Sequence, residues 1–376
     1  MEAYLDNSAT TPLCKTAKEK MLYTIENCWG NPSSLHQKGI DAHLLLCDAR
    51  KEVAKALCCD EKEIFFTSGG TEGNNIAILG AARSNARKGK KVITTRVEHP
   101  SVLKTFNQLE NEGFQVTYIS TDESGCIDIN ELENAVDENT VLISVMAVNN
   151  EVGTIQPFGD IRQIVKKKNS SALIHVDAVQ AFGKIPLNPK KSGVDLMTVS
   201  SHKIHGPKGT GALFVKQGTK IKGVSFGGGQ ENDIRPGTEA MPAIAGFYGA
   251  VKEMNVKSNL EKVTALRDGF VNKLKEIPGV SINSPDDALP FIVNISLDGL
   301  RSETVLNFLS DMEIYISSGS ACAKGHKSYV LTAMGLDDKR IDSSLRISLS
   351  RMTTEEELDY FIEGIKMAMK VIMKRR

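Results

Sequence analysis

The sequence has no run of about 18 apolar residues, so no membrane-spanning helix is expected. Its first residues, MEAYLDNSATTP, lack a basic stretch followed by an apolar core, and this reads against a signal peptide. Cysteine is scarce and unpaired. The seven residues, at 14, 28, 47, 58, 59, 126 and 322, are an odd number without paired spacing. That pattern excludes a disulfide framework and points to a reducing compartment, the cytoplasm. Cys58 and Cys59 are adjacent, poor geometry for a metal pair, and no metal site is expected. Charge of one sign is missing too. Lys+Arg and Asp+Glu number 46 each, so nothing argues for wholesale binding to nucleic acid or an acidic membrane. Lys166, Lys167 and Lys168 read as a solvated helix end. There is no internal repeat and no low-complexity linker.

What is present is an ordinary globular composition, 41% hydrophobic and 24% charged, over 376 residues. That length suits one large and one smaller domain. From Glu63 to Val215, short β-rich runs alternate with amphipathic stretches. The runs are EIFFT (63–67), KVITT (91–95), QVTYI (115–119), VLISVMAV (141–148), ALIHV (172–176), DLMTVS (195–200) and GALFV (211–215). Helical periodicity fills 99–112, 128–137 and 158–168. Nearly all-apolar strands alternating with helices predict an α/β fold with a mostly parallel sheet buried on both faces. Ligands of such sheets sit beyond the carboxyl ends of the strands. After Met241 the texture changes to a smaller α+β region. A helix ending before Pro278-Gly279 is followed by FIVNISL (291–297), a helix at 302–312, EIYIS (313–317) and LRISL (345–349). A last helix opens on a capping box, Thr353 to Glu356, and closes on Lys374-Arg375-Arg376, whose charge suits its dipole.

Several strand ends carry polar groups. Lys203, in SSHKIHGPKG, reads on its own as a surface lysine. Ser200, His202 and His205 beside it make a functional edge the alternative, where a desolvated lysine could bond an aldehyde cofactor. Asp177 closes HVDAVQ, with Gln180 a turn further on. It is either a helix N-cap or the partner of a pyridinium nitrogen. In TSGGTEGNNIAI (67–78), Gly69 and Gly70 join a strand to a helix, where backbone amides can approach a phosphate. Thr71, Ser200 and Thr238 can add hydroxyls. The spacing matches neither the dinucleotide nor the P-loop pattern. His99 follows another strand end and is either structural or stacked on a planar cofactor. Asn149-Asn150-Glu151 supplies polar groups at the same edge. Cys322, in SSGSACAKGHKS (317–328), lies between Gly319 and Gly325 with Lys324, His326 and Lys327 behind it. A polar, electropositive setting favours a nucleophilic thiolate over a buried small hydrophobe.

Together these segments resemble the cysteine desulfurases of the NifS/IscS type, in the class V aminotransferase superfamily. The likeness runs from YLDNSATTP (4–12) and NPSSLH (31–36) to LRISLSRMTTEEELDYF (345–361). SSHKIHGPKG marks the superfamily and SSGSAC this branch. The resemblance implies the fold type I of pyridoxal 5'-phosphate-dependent transferases. Residues 14–250 would form the large domain, and 1–13 with 251–376 the small one. It implies that Lys203 bonds the cofactor, Asp177 meets the ring nitrogen, His99 stacks on the ring and Gln180 reaches the phenolic oxygen. Gly70, Thr71, Ser200 and His202 would hold the phosphate, and Thr238 would reach the phosphate site of a second subunit in a homodimer. Arg346 would clamp the substrate carboxylate beside Asn150. L-Cysteine would yield L-alanine. Lys203 would take the Cα proton with His99 as acid–base helper, and Cys322 would keep the sulfur as a persulfide for an acceptor protein. Iron–sulfur cluster assembly and tRNA or cofactor thiolation are the uses this implies.

Two features depart from the family pattern. The segment from Cys322 to Ser328 is shorter than in many relatives. Gln230 and Asn232-Asp233 stand where relatives often have His and basic residues. Two rival readings are a different pyridoxal-phosphate enzyme, such as an aminotransferase or a selenocysteine lyase, and a catalytically quiet binding protein. Transamination has no need of a loop thiol at position 322, and the intact set Lys203, Asp177, His99 and Cys322 argues against a quiet binding protein.

Overall fold

All seven apolar runs between 63 and 215 are strands of one sheet in the computed structural model of the chain, which describes residues 1–318 and 327–373. After a short strand β1 (Ala3–Tyr4), the sheet comprises β2 (Ile64–Thr67), β3 (Lys91–Thr95), β4 (Gln115–Ile119), β5 (Thr140–Met146), β6 (Leu173–Asp177), β7 (Leu196–Ser200) and β8 (Gly211–Val215). Their spatial order is β2-β8-β7-β6-β5-β3-β4. Only β8 runs against its neighbours, so the mostly parallel sheet expected from the sequence is present. Every residue of β5, β7 and β8 is buried, which is why these strands are continuously apolar rather than alternating. The exception is a polar stripe across the interior. His175 Nδ1 meets Ser144 Oγ at 2.8 Å and its Nε2 meets Thr198 Oγ1 at 3.0 Å, so a fully buried ring is satisfied on both sides.

The helix Gly70–Asn85 lies on this sheet with Ile76, Ala77, Ile78 and Ala81 buried beneath it. Gly73 permits its approach, because a Cβ there would stand 2.6 Å from Thr198 Cγ2. The pairing of adjacent strand ends, Met146 with Asp177 and Asp177 with Thr198, gathers the termini of β5, β6 and β7 at one edge.

The C-terminal third forms an antiparallel sheet in the order β12-β10-β9, with β9 (Val280–Ile282), β10 (Ile292–Leu297) and β12 (Ser344–Ser348). A parallel pair, β1 with β11 (Ile314–Tyr315), flanks it. The helices Val256–Lys275 and Glu355–Met373 meet through the Phe270 and Phe361 rings, edge to face at 5.6 Å. The capping box of the last helix sits one residue later than the sequence suggested. Thr354 N donates to Glu357 Oε2 at 2.8 Å, and Glu357 N donates to Thr354 Oγ1 at 3.3 Å. Thr353 is buried and uses its hydroxyl to accept from Ser350 N, so it is not the cap. Lys374-Arg375-Arg376 lie outside the described residues.

Residues 3–14 form a strap between the two sheets. Leu5 N donates to Tyr315 O, Ser348 N to Leu5 O and Ser8 N to Ser348 Oγ. Further on, Thr11 N donates to His202 O, His205 N to Thr11 Oγ1 and Cys14 N to His205 O. The strap therefore ties the C-terminal sheet to the turn that carries Lys203. Another turn, Gln230–Asp233, places Glu231, Asn232 and Asp233 at positive φ. Such backbone is strained for residues with a Cβ. A two-pronged ion pair from Arg50 to the buried Glu231 carboxylate, at 2.6 and 2.8 Å, holds it in place. No helix among the described residues is long and apolar enough to cross a membrane.

Candidate active site

A cleft of about 260 Å³ opens beyond the carboxyl ends of β5, β6 and β7. Nine residues singled out from the sequence line it: Lys203, Asp177, Gln180, His99, Gly70, Thr71, His202, Asn150 and Arg346. Ser200 is fully buried at the end of β7, behind the wall near Gly69. Thr238 is exposed and does not line the cleft of its own chain. Cys322 lies outside the described residues.

Lys203 follows directly from β7 in a short 3₁₀ turn, and its Nζ donates to the backbone carbonyls of Ser8 and Ala9 on the strap, the latter at 2.8 Å. Gln180 Nε2 donates to the same Ser8 carbonyl at 3.0 Å, and Gln180 Oε1 accepts from Lys184 Nζ at 2.9 Å. Asp177 ends β6 and is buried. Its Oδ1 accepts from Val179 N at 3.0 Å and its Oδ2 from Asn74 Nδ2 at 2.7 Å. Asn74 also donates to Ser101 Oγ at 2.9 Å, and Ser101 Oγ lies 2.8 Å from His99 Nδ1. Because the Ser101 amide also donates to His99 Nδ1, the proton of the neutral ring belongs on Nε2. One hydrogen-bonded chain thus links the aspartate to the histidine.

Arg346, on β12, is almost fully buried. Nη1 donates to Asn150 O at 3.0 Å and Nη2 to Asp6 Oδ1 at 2.8 Å. Its Nε finds no acceptor among the described residues, and neither Asn150 Oδ1 nor Ser200 Oγ has a partner there. Buried polar atoms left open in this way mark where a polar guest belongs. At the other wall, Gly69 has φ +145° and leads into the helix Gly70–Asn85. The amides of that helix's first turn have no helical carbonyl to bond and face an anion favourably.

The electrostatics are one-sided. Burial, with the Lys203 charge adding to it, lowers the His99 pKa against the opposing pull of Asp177. His202 is pushed down to about 4 by burial and then by Lys203, Lys208 and Lys184. Lys184 falls to about 7 through burial, Lys203 and Arg346. Beneath the cleft, the fully buried Glu98 rises to about 8, burial outweighing the bonds its Oε1 accepts from Met146 N and Thr95 Oγ1, both at 2.8 Å. A cleft that disfavours further positive charge is suited to a guest carrying phosphate and carboxylate groups.

Sequence reasoning missed Asn74, Lys184, Glu98 and the strap carbonyls. Asn74 could have been found by its place one turn into the helix that opens at Gly70. Lys184 could have been found at i+4 from Gln180. The strap carbonyls have no side-chain signature.

The chain belongs to the class-V aminotransferase family, whose model matches residues 3–361, and within it to the cysteine desulfurases of the NifS/IscS type. It is 43% identical over 368 residues to cysteine desulfurase IscS of Methanosarcina thermophila, covering 96% of this chain and 90% of that one. A solved NifS-like protein superposes with a TM-score of 0.94 at 40% identity, covering 99% of this chain and 100% of the other. The solved structure of SspA in complex with cysteine is 34% identical, with a TM-score of 0.83 over 94% of this chain and 100% of that one. Pyridoxal phosphate is the cofactor of this family. The residues at the cleft fit it: an ammonium, a buried carboxylate opposite, open phosphate donors and a helix N-terminus.

Proposed function

We propose that the chain converts L-cysteine to L-alanine and keeps the sulfur as a persulfide on Cys322. The carrying observation is where the Cys322 segment is anchored. At one end Ser317 and Arg346 bond through their backbones, Arg346 N donating to Ser317 O at 2.6 Å. At the other end Ser328 Oγ donates to Glu151 Oε2 at 2.5 Å, next to Asn150. Both ends are therefore fastened to the wall that holds Arg346 and Asn150. From Ser317 to position 322 is five residues of chain, at most about 18 Å in reach.

Lys203 would hold the cofactor, with Asp177 at the ring nitrogen, His99 against the ring face and Gln180 at the phenolic oxygen. Thr71, Ser200, His202 and the Gly70 amide would hold the phosphate. Bound pyridoxal phosphate supplies the electron sink that makes the substrate Cα–H acidic. The Lys203 amine would take that proton and later return one, with His99 assisting. The unpartnered Nε of Arg346 would meet the substrate carboxylate, beside Asn150. The Cys322 thiolate would attack the substrate sulfur, the S–S bond forming as the C–S bond breaks; the electron pair goes to Cβ, which takes a proton, leaving alanine and a Cys322 persulfide.

We assign residues 14–250 to the large domain and 1–13 with 251–376 to the small one. A cytoplasmic homodimer fits the apolar side chains exposed on Leu22, Tyr23, Trp29, Leu35 and Phe226. The exposed Thr238 would then serve the partner's phosphate site. Onward sulfur would pass to an acceptor protein for iron–sulfur assembly or for tRNA or cofactor thiolation.

The test supplies cysteine to wild type and to Cys322→Ser and measures alanine and protein-bound persulfide. The substitution should abolish both while the cofactor stays bound, and Lys203→Ala should lose the visible band of the lysine-bound cofactor. A colourless wild type, or full turnover by Cys322→Ser, overturns the reading.

A further inference from the structure

Lys184 is buried behind the cleft, and none of the motifs read from the sequence includes it. Phe182 N bonds to Ala178 O and Ile185 N to Ala181 O, and Gly183 between them has φ +73°, so the chain turns back and brings Lys184 to Gln180. Lys184 Nζ sits 2.9 Å from Gln180 Oε1 and 5.7 Å from the centre of the Phe291 ring. No ion pair joins it to a carboxylate among the described residues. The charged and titratable groups that bear on it are Lys203 and Arg346, and it bears in turn on His202 and His205.

We propose that Lys184 is a positioning residue for the cofactor site, its amine locking the Gln180 amide so that Nε2 faces the cleft. The Lys184 amine donates to Oε1 whether charged or neutral, and the Ser8 carbonyl can only accept, so the two together admit only the flip of Gln180 that presents Oε1 to Lys184. The opposite end of the amide then has to be the donor. It is: Nε2 reaches the Ser8 carbonyl, which also accepts from Lys203. The run Lys184–Gln180–Ser8–Lys203 is therefore a fixed-polarity chain that ends on the residue proposed to bond the cofactor. An aldehyde cofactor with a phenolic oxygen needs a donor from Gln180, and this chain guarantees one. A donor held at the phenolic oxygen draws charge from it and so disfavours the protonated form of the lysine-bound cofactor; losing the lock on Gln180 therefore favours that form.

The inference rests on the pyridoxal-phosphate reading, and the experiment separates the two. Purified holoenzymes of wild type, Lys184→Met, Gln180→Leu and the double variant are titrated with base while the visible cofactor band is followed. In Lys184→Met the band should titrate about one pH unit higher than in wild type. In the Gln180→Leu background the same substitution should move it by less than half as much, because the lock has lost its target. An equal shift in both backgrounds, or none in either with cofactor bound, overturns the proposal. A colourless wild type would instead overturn the cofactor reading. Methionine matches the lysine stem in length. Should that variant not accumulate folded, Lys184→Gln, which removes the charge but keeps a polar tip, is read against the same two backgrounds.

Discussion

Replacing Glu98 by Gln should stabilise the protein, and only above acidic pH. The side chain is fully buried directly before His99, its Oε1 accepts two hydrogen bonds and its Oε2 has no partner. Burial raises its pKa from 4.5 to about 8, so the folded state keeps a proton that the unfolded chain releases above 4.5. Folding stability is therefore lost as pH rises from about 4.5 to about 8 and stays lost beyond. A tenfold change in proton affinity is worth about 1.4 kcal/mol, so the whole displacement amounts to on the order of 5 kcal/mol. Glutamine keeps the carbonyl oxygen for Thr95 and Met146 and carries no charge to desolvate. Urea midpoints of the two cofactor-saturated proteins, measured every half unit from pH 4 to 9, give the comparison. The advantage of Glu98→Gln should be small at pH 4 and climb to a plateau near pH 8. A difference of the same size at every pH would refute the argument, because a packing change has no reason to follow proton release.

Two further outcomes follow from other buried polar groups. His175 is held neutral with a pKa of about 3, burial being the cause, so stability should fall as pH drops from 6.5 toward 3, the opposite direction from Glu98. His175→Gln should flatten the acid limb of the urea midpoint, and an unchanged limb would exclude His175 as its source. Asn74→Ala removes the donor 2.7 Å from Asp177. A hydrogen bond to a charged group is worth about 1.5–3 kcal/mol, so cofactor dissociation, followed by absorbance, should weaken roughly 10- to 100-fold. An unchanged dissociation constant would mean that Asp177 needs no help from Asn74.

The strands were readable because a sheet covered on both faces demands continuous apolar runs. β5, β6 and β7 supply them, with polar residues beginning where the sheet ends. That change from apolar to polar marks Asp177, Lys203 and Asn150 as lying at one edge. The partners were harder to read. Asp6 and Arg346 bond across a separation of 340 residues, and no local pattern announces the pair. Asn74 sat inside a quoted motif without a role, since a helix side chain's direction depends on how the helix lies on the sheet. The cap of the last helix slipped by one position because Thr353 and Thr354 are chemically alike, and only burial of the first decides between them. Thr238 is exposed and outside the cleft, and its proposed role depends on a second subunit.

The strap of residues 3–14 has a consequence for how the molecule is made. Its carbonyls hold Lys203, yet its own anchor, Ser348 on β12, is translated some 340 residues after Ser8. At 5–20 residues per second, that interval is roughly 20 to 70 seconds. Until β12 leaves the ribosome, Leu5 and Ser8 lack their Ser348 partner, although Thr11 and Cys14 can already bond the turn from His202 to His205. A nascent chain can therefore own Lys203, Asp177 and the phosphate turn without a finished cleft. Completion of the site is a late event in biosynthesis, and an incomplete chain is kept from premature chemistry by the order of its own synthesis.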